Sequence, residues 1–304
     1  MRFLISTANY FSDQDTYDFL ARLSDFSEQK TIHEFSVQLF DNSASMVNLN
    51  ESDYGNLNLS IVKPKRNIGL GPTWKISLST MNKCKDYDAL ILVNNDTEFC
   101  DGFFDEILFA VNKNDNSIYG PYIMLEDETP WSSGGHFGLL PWIVKHHAQK
   151  RDKYDERIIE TEHVSGCCLI IPRKVILKNY HAFSGVSDFF FRGEEWFLNK
   201  KLADSGVNRF LLRDAILIHK ENGSHKRFSP EHIYWAIRAK MLFIKKLNGI
   251  QYFLSFLTYS VHVFTKGFIF YKIHSGLSGG NVMKMILMGY FHGVKKRVIR
   301  SYDL

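Results

Sequence analysis

The sequence predicts an α/β protein: a mixed, mainly parallel sheet flanked by helices, followed by a C-terminal helical extension. Three observations carry this reading. Short apolar runs alternate with helical patterns from Arg2 to Ile218, the order that crossover connections between parallel strands require. One run, Ala89–Val93, is wholly apolar and stops at Asn94, Asn95 and Asp96. A buried strand that ends this way delivers a carboxylate to the edge where open α/β sheets bind ligands. Charge is also divided, with 13 Lys/Arg against two acids from Lys226 onward and 24 Lys/Arg against 31 acids before it.

Arg2–Thr7 reads as the first strand, and Tyr17, Leu20 and Leu23 mark an amphipathic helix over Asp13–Leu23. Phe35–Phe40 forms a second strand ending at Asp41 and Asn42, and Leu59–Lys63 a third, followed by the glycine-rich turn RNIGLGP. Pro72 suits the first position of a helix over Thr73–Cys84. Ala89–Val93 and Ser117–Met124 are strands with a helix, Gly102–Asn112, between them. The stretch 126–161 is irregular, and its charged part, Lys150–Arg157, reads as a solvated loop. An apolar run over His163–Ile171 leads to Pro172 and a short helix, and Glu194–Ser205 is helical with Gly206 as a left-handed cap. Asn208–Leu212 and Ala215–Ile218 finish the sheet as two short strands.

The sequence divides at 228/229 into a catalytic domain and a basic, aromatic-rich extension. In the extension, Tyr234, Ile237, Met241 and Leu242 give a helix with lysines on its other face. Ile250–Phe264 is strongly apolar, but Gln251 and His262 interrupt it, short of the roughly 20 clean residues of a spanning helix. An amphipathic helix in a membrane interface or on a partner fits better. A last basic helix covers Val282–Arg300, and a helical cap on the first domain with a solvated basic face is the plainer alternative for the extension. An acidic body with a basic tail points to an anionic surface as partner; no nucleic-acid-binding motif is present, and anionic lipid is the better match. The start, MRFLISTANY, turns polar too quickly for a signal peptide. With Cys84, Cys100, Cys167 and Cys168 in no CxxC pair, the cysteines read as buried apolar residues in a reducing cytosol, Cys167 and Cys168 pointing to opposite strand faces.

Five features carry chemistry. Asp41 at a strand end suits a pyrimidine N3–H or a ribose hydroxyl, or simply an Asx turn. RNIGLGP allows close backbone approach to a diphosphate or sugar. Asp96 follows the most apolar strand, where a buried carboxylate needs compensation, and Mg²⁺ or Mn²⁺ would supply it; a helix N-cap is the plainer alternative. Glu194 and Glu195 start a helix, where the macrodipole favours negative charge and one acid is available as a general base. His219 ends a strand, with Gly223, Ser224 and His225 behind it, and imidazole can ligate Mn²⁺ or meet a phosphate oxygen.

In order, these segments resemble a family 2 glycosyltransferase of the glycosyltransferase-A fold (Rossmann-like nucleotide-diphospho-sugar transferases), in its rhamnosyltransferase-like bacterial branch. FDNSAS resembles the nucleotide-binding DNxS segment, RNIGLG the NxGxG loop, and LILVNNDTEF the LLLNPDTE segment that stands in for DxD. WSSGG resembles WSAGG, SGCCLIIPRKV the TGAxxLxRRxV strand–helix, and GEEWFL with IHKENGSH the EDxDL…VxHxxGxS ending. The resemblance covers about Phe3–Ser224. It implies donor contacts from Thr7, Asp41, Asn42, Asn67, Gly69, Asn95 and Asp96, and a metal on Asp96 and His219. It further implies Glu195 as base beside Glu194, and an acceptor side formed by Trp131, Gly134, Gly135 and Trp196. Four departures stand out: PTWKISLS lacks the usual second Asn and Gly, Asn94 replaces the first acid of DxD, Glu195 replaces the commoner Asp, and Phe197 replaces a third acid.

The activity implied is inverting transfer of a rhamnose-like sugar or hexose from a dTDP- or UDP-sugar, aided by a divalent metal, to a surface glycan or lipid-linked glycan. The place implied is the cytoplasmic face of the inner membrane, held peripherally. A sugar nucleotidyltransferase would need a basic glycine-rich loop after the first strand, and STANYFSDQD offers none. A non-catalytic carbohydrate-binding or assembly protein would not need Asp96, Glu194, Glu195 and His219.

Overall fold

The computed structural model describes residues 1–28, 32–43, 45, 49, 54–55, 57–113, 116–220 and 228–296. Its sheet is assembled from β1 (Arg2–Asn9), β2 (Glu34–Asp41), β3 (Asn58–Val62), β4 (Ala89–Val93), β6 (Ser117–Met124), β11 (Cys168–Pro172) and β12 (Asn208–His219). The strand order is β3-β2-β1-β4-β11-β6-β12, with β10 (Ile158–Glu160) on the β12 edge. Neighbours are parallel from β3 to β4 and again between β6 and β12, while β11 runs antiparallel between its two neighbours. Short strands β5 (Thr97–Phe99) and β7 (Pro130–Ser132) pair with β12 and β6, and β8 (Gly135–Phe137) with β9 (Val144–His146) makes a separate hairpin.

Period-two alternation sorts the strand residues into two cores. Phe3, Ile5, Ala89, Ile91 and Ile170 face α1 (Asp13–Glu28) and α3 (Phe103–Lys113), which contribute Phe19, Leu20, Phe103, Phe104 and Ile107. Leu4, Leu90, Leu92, Leu169 and Ile171 face the other way, onto α2 (Leu70–Lys83), α4 (Arg173–Lys178) and α5 (Glu194–Asp204). Every residue of β4 is buried because both faces are covered, which explains its unbroken apolar run.

The structure revises several local expectations. Helix α2 starts at Leu70, so Pro72 is its third residue; proline is tolerated there because first-turn N–H groups have no intrahelical partner. The two expected strands at 208–218 are one, β12, irregular between Leu212 and Ile216. The run from His163 becomes a strand only at Cys168, and Cys167, just before it, packs in the same core as Cys168 rather than on the opposite face. The stretch 126–161 contains β7 to β10, and Arg151–Lys153 within its charged part is a 3₁₀ turn.

The extension is helical throughout its described part: α6 (Pro230–Lys245), α7 (Gly249–His262), α8 (Phe268–Ser275) and α9 (Gly279–Lys295), with a π turn over Val263–Gly267 joining α7 to α8. Ser229 caps α6 by accepting the His232 N–H at 3.2 Å, with Pro230 following. Leu242, Phe243 and Leu247 join the second core of the sheet. Ile233, Trp235, Ile237 and Met241 instead pack with Tyr259, Val263, Val282 and Ile286 of the extension. Helix α6 therefore serves both sides of the expected 228/229 boundary.

Gly71 sets how closely α2 approaches the segment before α5. A Cβ there would lie 2.1 Å from the Phe189 carbonyl oxygen and 2.3 Å from that of Val186. Both obstacles are backbone, so neither can rotate away. Gly71→Ala is expected to destabilise the fold by about 1–3 kcal/mol or more, read as a lower urea midpoint at unchanged m-value.

Candidate active site

The C-terminal ends of β1, β2, β4 and β12 form one edge of the sheet, and the candidate residues gather there. Asn9 and Asp41 are register partners at the ends of β1 and β2. Asp41 is fully buried and accepts from Asn9 Nδ2 at 3.1 Å and from Ser43 Oγ at 3.0 Å. The carboxylate expected to meet the nucleoside thus organises its own strand end. Thr7, two residues inward on β1, is buried with its hydroxyl lacking a hydrogen-bond partner among the described atoms. Asn42 reaches the glycine-rich loop, its Oδ1 accepting the Ile68 N–H at 3.3 Å. Asn67 Oδ1 accepts the Gly69 N–H at 2.8 Å, and the Leu70 N–H goes to the Phe190 carbonyl at 2.7 Å. Gly69 has φ +83°, and a Cβ there would meet the Phe190 oxygen at 2.3 Å. Both glycines of the loop thus serve close approach to the Phe189–Phe190 backbone, where the sequence pointed to a diphosphate.

Asn95 donates to Ser12 Oγ and Thr16 Oγ1, both at 2.7 Å, which locks the turn after β4 onto the start of α1. Its neighbour Asp96 points elsewhere. Asp96 Oδ1 lies 3.3 Å from His219 Nε2, outside hydrogen-bond alignment, and is buried without a hydrogen-bond donor. The Lys220 N–H holds the Asp96 carbonyl at 2.9 Å, so the end of β12 and the turn after β4 are fastened together. Trp131 stacks edge-on against the His219 ring at 4.6 Å. Two donors on one ion, each about 2.1 Å from it and at right angles, sit roughly 3 Å apart, so Asp96 and His219 fit one edge of a Mg²⁺ or Mn²⁺ shell. Among the described residues no cluster of three His, Cys, Asp or Glu forms a fuller site. Gly223, Ser224 and His225 lie outside the described residues.

The other half of the site is the start of α5. Gly193 caps it in the left-handed region at φ +85°, preceded by Arg192 at φ +68°. Glu194 is buried, whereas Glu195 keeps part of its surface exposed. Burial, reinforced by the neighbouring Glu195 charge, pushes the Glu194 carboxyl from an ordinary 4.5 up to about 8. Burial also pushes Glu195 up, opposed by N–H groups at the helix start and by the charges of Lys240 and Arg192. One turn later Asn199 pins this helix, donating to the carbonyls of Glu195 (2.8 Å) and Val164 (3.0 Å) and accepting the Val164 N–H (3.0 Å).

Gly166 joins the two halves. A Cβ on Gly166 would stand 3.0 Å from Glu195 Cβ and 3.4 Å from Trp74. The next residue, Cys167, uses its carbonyl to accept the Asn94 N–H at 2.9 Å. Two residues of backbone therefore separate the turn bearing Asp96 from the stem of Glu195. On the expected acceptor side, Gly134 (φ +88°) and Gly135 pack tightly, with a Cβ on either meeting Thr161 Oγ1 at 2.6 Å or the Lys145 carbonyl at 2.4 Å. Their smallness is used by the chain itself.

Sequence reasoning missed Lys240, His146 and His163. Lysines of α6 were expected on its outer face, but Lys240 Nζ sits 3.5 Å from the centre of the Trp196 ring. Burial lowers the Lys240 pKa to about 7 even though Glu195 opposes the shift. His163 is fully buried, 4.9 Å from the His146 ring, and neither ring nitrogen finds a hydrogen-bond partner among the described atoms. Burial holds both imidazoles below their ordinary pKa, with Lys240 adding to the effect. The available signal was the pair Arg238 and Lys240, two cations set between Ile237 and Met241 on a buried helix.

Solved structures share this architecture. S. aureus TarS (residues 1–349) superposes with a TM-score of 0.58 at 14% identity, covering 97% of this chain and 81% of that one. Its complex with UDP-GlcNAc gives 0.52 at 14% identity over 83% and 68%. GalNAc-T7, solved with UDP, GalNAc and Mn²⁺, gives 0.58 at 14% identity over 79% of this chain and 47% of that one. The fold is glycosyltransferase-A. The chain spans about half the length of the GalNAc-T7 chain. No family model and no curated protein sequence matches it.

The raised Glu194 pKa makes stability depend on pH with a defined sign. Between about 4.5 and about 8 the folded state holds a proton that the unfolded state has released, so stability falls as pH rises through that window. Glu194→Gln removes this contribution. Unfolding free energies from urea titrations at pH 5 and pH 8 should differ less in the variant than in wild type, by on the order of a few kcal/mol.

Proposed function

We propose that this protein is an inverting glycosyltransferase that moves a sugar from a nucleotide-diphosphate donor to a hydroxyl of a glycan. The observation that carries the reading is the pairing of two unlike acidic sites on a glycosyltransferase-A sheet: the Asp96–His219 pair at the strand ends, and the partly exposed Glu195 across the Gly166–Cys167 backbone. Donors of the UDP-sugar class are favoured, because the similar structures were solved with UDP and UDP-GlcNAc. A dTDP-rhamnose donor rests on the sequence resemblance alone.

Asp96 and His219 would hold the divalent metal, which when bound offsets negative charge developing on the departing nucleoside diphosphate. Glu195 accepts the proton of the acceptor hydroxyl. The acceptor oxygen bonds to the anomeric carbon from the opposite face, and the bond from that carbon to the diphosphate oxygen breaks with its electron pair leaving on the diphosphate. The anomeric centre inverts through an oxocarbenium-like state. Buried Glu194, with its raised pKa, remains protonated near neutral pH and keeps a second negative charge from forming beside the base. Thr7, Asp41 and Asn42 line the strand ends where the nucleoside would bind, and Trp131 and Trp196 would flank the acceptor.

We further propose peripheral membrane attachment through the extension; the cytoplasmic face rests on the sequence reading alone. The continuous helix Gly249–Ser275 is long and apolar enough to cross a membrane by length and composition. Its inner side is committed to protein, with Tyr259 and Val263 buried against α6 and Thr258 accepting from Trp142 Nε1 at 3.1 Å. Its outer side exposes Ile250, Phe253, Leu257, Val261, Ile269 and Ile273 at helical spacing, with Lys266 and Lys272 also exposed. One buried and one exposed apolar side suit a helix lying along an anionic lipid surface, where the lysines add attraction.

Two measurements test the reading. Release of nucleoside diphosphate from a panel of UDP- and dTDP-sugars, with a glycan acceptor and Mn²⁺, should identify a donor. Glu195→Gln should then lower transfer by about 10²–10⁴-fold with nucleotide affinity nearly unchanged; turnover of no donor by wild type overturns the proposal. Phe253→Glu combined with Leu257→Glu in the full chain should abolish co-sedimentation with phosphatidylserine vesicles, and unchanged sedimentation removes the membrane role of this helix.

A further inference from the structure

Trp131 lies on the expected acceptor side, yet its ring leans on His219. We propose that Trp131 is a positioning residue for His219: a bulge in β7 turns the indole onto the imidazole and fixes that ring in the orientation that lets Nε2 and Asp96 share one divalent cation. The proposal rests on the reading of Asp96 and His219 as the metal-holding pair. The register of β7 supplies the first support. Ile123 of β6 pairs with Ser132 and Met124 with Pro130, so Trp131 is the extra residue that this irregularity inserts between them. A bulged strand bends at such a residue and re-aims its side chain. Here the ring centre comes 4.6 Å from that of His219, with the two planes at 71°.

The same corner of the sheet receives His219 from the other direction. Ile218 of β12 pairs with Met124, His219 itself pairs with Thr97 of β5, and the Lys220 N–H holds the Asp96 carbonyl at 2.9 Å. These contacts fix the backbone of His219 but not the rotation of its ring. A metal-bound imidazole ordinarily gains that from a hydrogen bond through its second nitrogen. His219 Nδ1 is buried and has no hydrogen-bond partner among the described atoms. Nε2 faces Asp96 Oδ1 at 3.3 Å, and that oxygen likewise receives no hydrogen bond there. The ring is therefore held by packing. His219 and Leu217 share a face of β12; Leu217 belongs to the first core, and Trp131 packs against that core. The indole thus reaches from the core to the imidazole and limits its rotation. Phenylalanine keeps a flat ring at this place, whereas alanine removes it and lets the imidazole turn away from Asp96.

Mn²⁺ alone, added to the full chain carrying ¹³C-labelled histidine, reads the ring directly. The ring resonance lost in His219→Asn belongs to His219, and bound Mn²⁺ broadens it because unpaired electrons relax nearby nuclei. At fixed pH, the Mn²⁺ concentration that halves this signal should rise by about 10–100-fold in Trp131→Ala. Trp131→Phe should stay close to wild type. The ring signal of buried His163, assigned in the same way, should keep its position in both variants, which separates a turned His219 from a loosened fold. Trp131→Leu replaces the alanine variant if the latter does not fold, with the same expectation. Equal concentrations in wild type and Trp131→Ala overturn the proposal while leaving the metal pair standing. A His219 signal that Mn²⁺ never attenuates in wild type sinks the metal pair, and the proposal with it, without any assay of transfer.

Discussion

Two adjacent carboxylates at the start of α5 are costly to bury, and the surrounding structure accommodates them. Neighbouring acids in a low-dielectric site cannot both ionise without compensation. The chain responds in three ways. It sets them at a helix N-terminus behind a left-handed Gly193, where N–H groups favour negative charge. It brings Arg192 and Lys240 into their field. It also buries Glu194 more deeply than Glu195, which raises the Glu194 pKa while Glu195 keeps part of its surface exposed. Two acids alike in sequence thus sit in unlike surroundings, Glu194 buried and Glu195 partly exposed.

The geometry that fixes this pair relies on positions with no side chain. Gly69 and Gly71 let α2 press against the Val186–Phe190 backbone, and Gly166 leaves room for the stem of Glu195. The strand side is held instead by hydrogen bonds: Asn95 to Ser12 and Thr16, Asn94 to Cys167, and Lys220 to Asp96. Asp96 and His219 thus sit on sheet ends that cannot move independently. Glu195 is set instead by packing of helices over the second core.

Much of this was legible in the sequence, for identifiable reasons. Strict apolar runs such as Ala89–Val93 announce buried strands, and the order of strands and helices announces the mainly parallel sheet. Asp96, Glu195 and His219 were visible because each interrupts an apolar or helical pattern at an element boundary. The short strands within 126–161 were not, since three-residue strands carry too few positions for alternation to register. The bulge in β12 hid the continuity of one strand behind Arg213 and Asp214. Lys240 was misplaced for a different reason: on a helix packed on both sides, amphipathic logic assigns a lysine to solvent, and only the tertiary contact with Trp196 reveals otherwise. The glycines of RNIGLGP show the converse, in that the demand for close approach was correctly read but the approaching group is the chain itself.

These points bear on what the C-terminal helices are for. A helix that served only as a tether could be joined to the sheet domain by a loose linker. Helix α6 instead contributes Leu242 and Phe243 to the sheet's second core, and Arg238 donates to the Asp188 carbonyl at 3.1 Å. Lys296 at the end of α9 joins Lys246 on the Asp188 carboxylate, 3.2 Å away. The segment that carries Asp188 also carries the Phe189–Phe190 backbone on which the glycine loop rests. Contacts from the extension therefore converge on the short stretch that lies between the glycine loop and Glu195. The surface expected to meet lipid and the groups expected to meet substrate are packed onto opposite sides of the same helix, which makes α6 a structural part of the site.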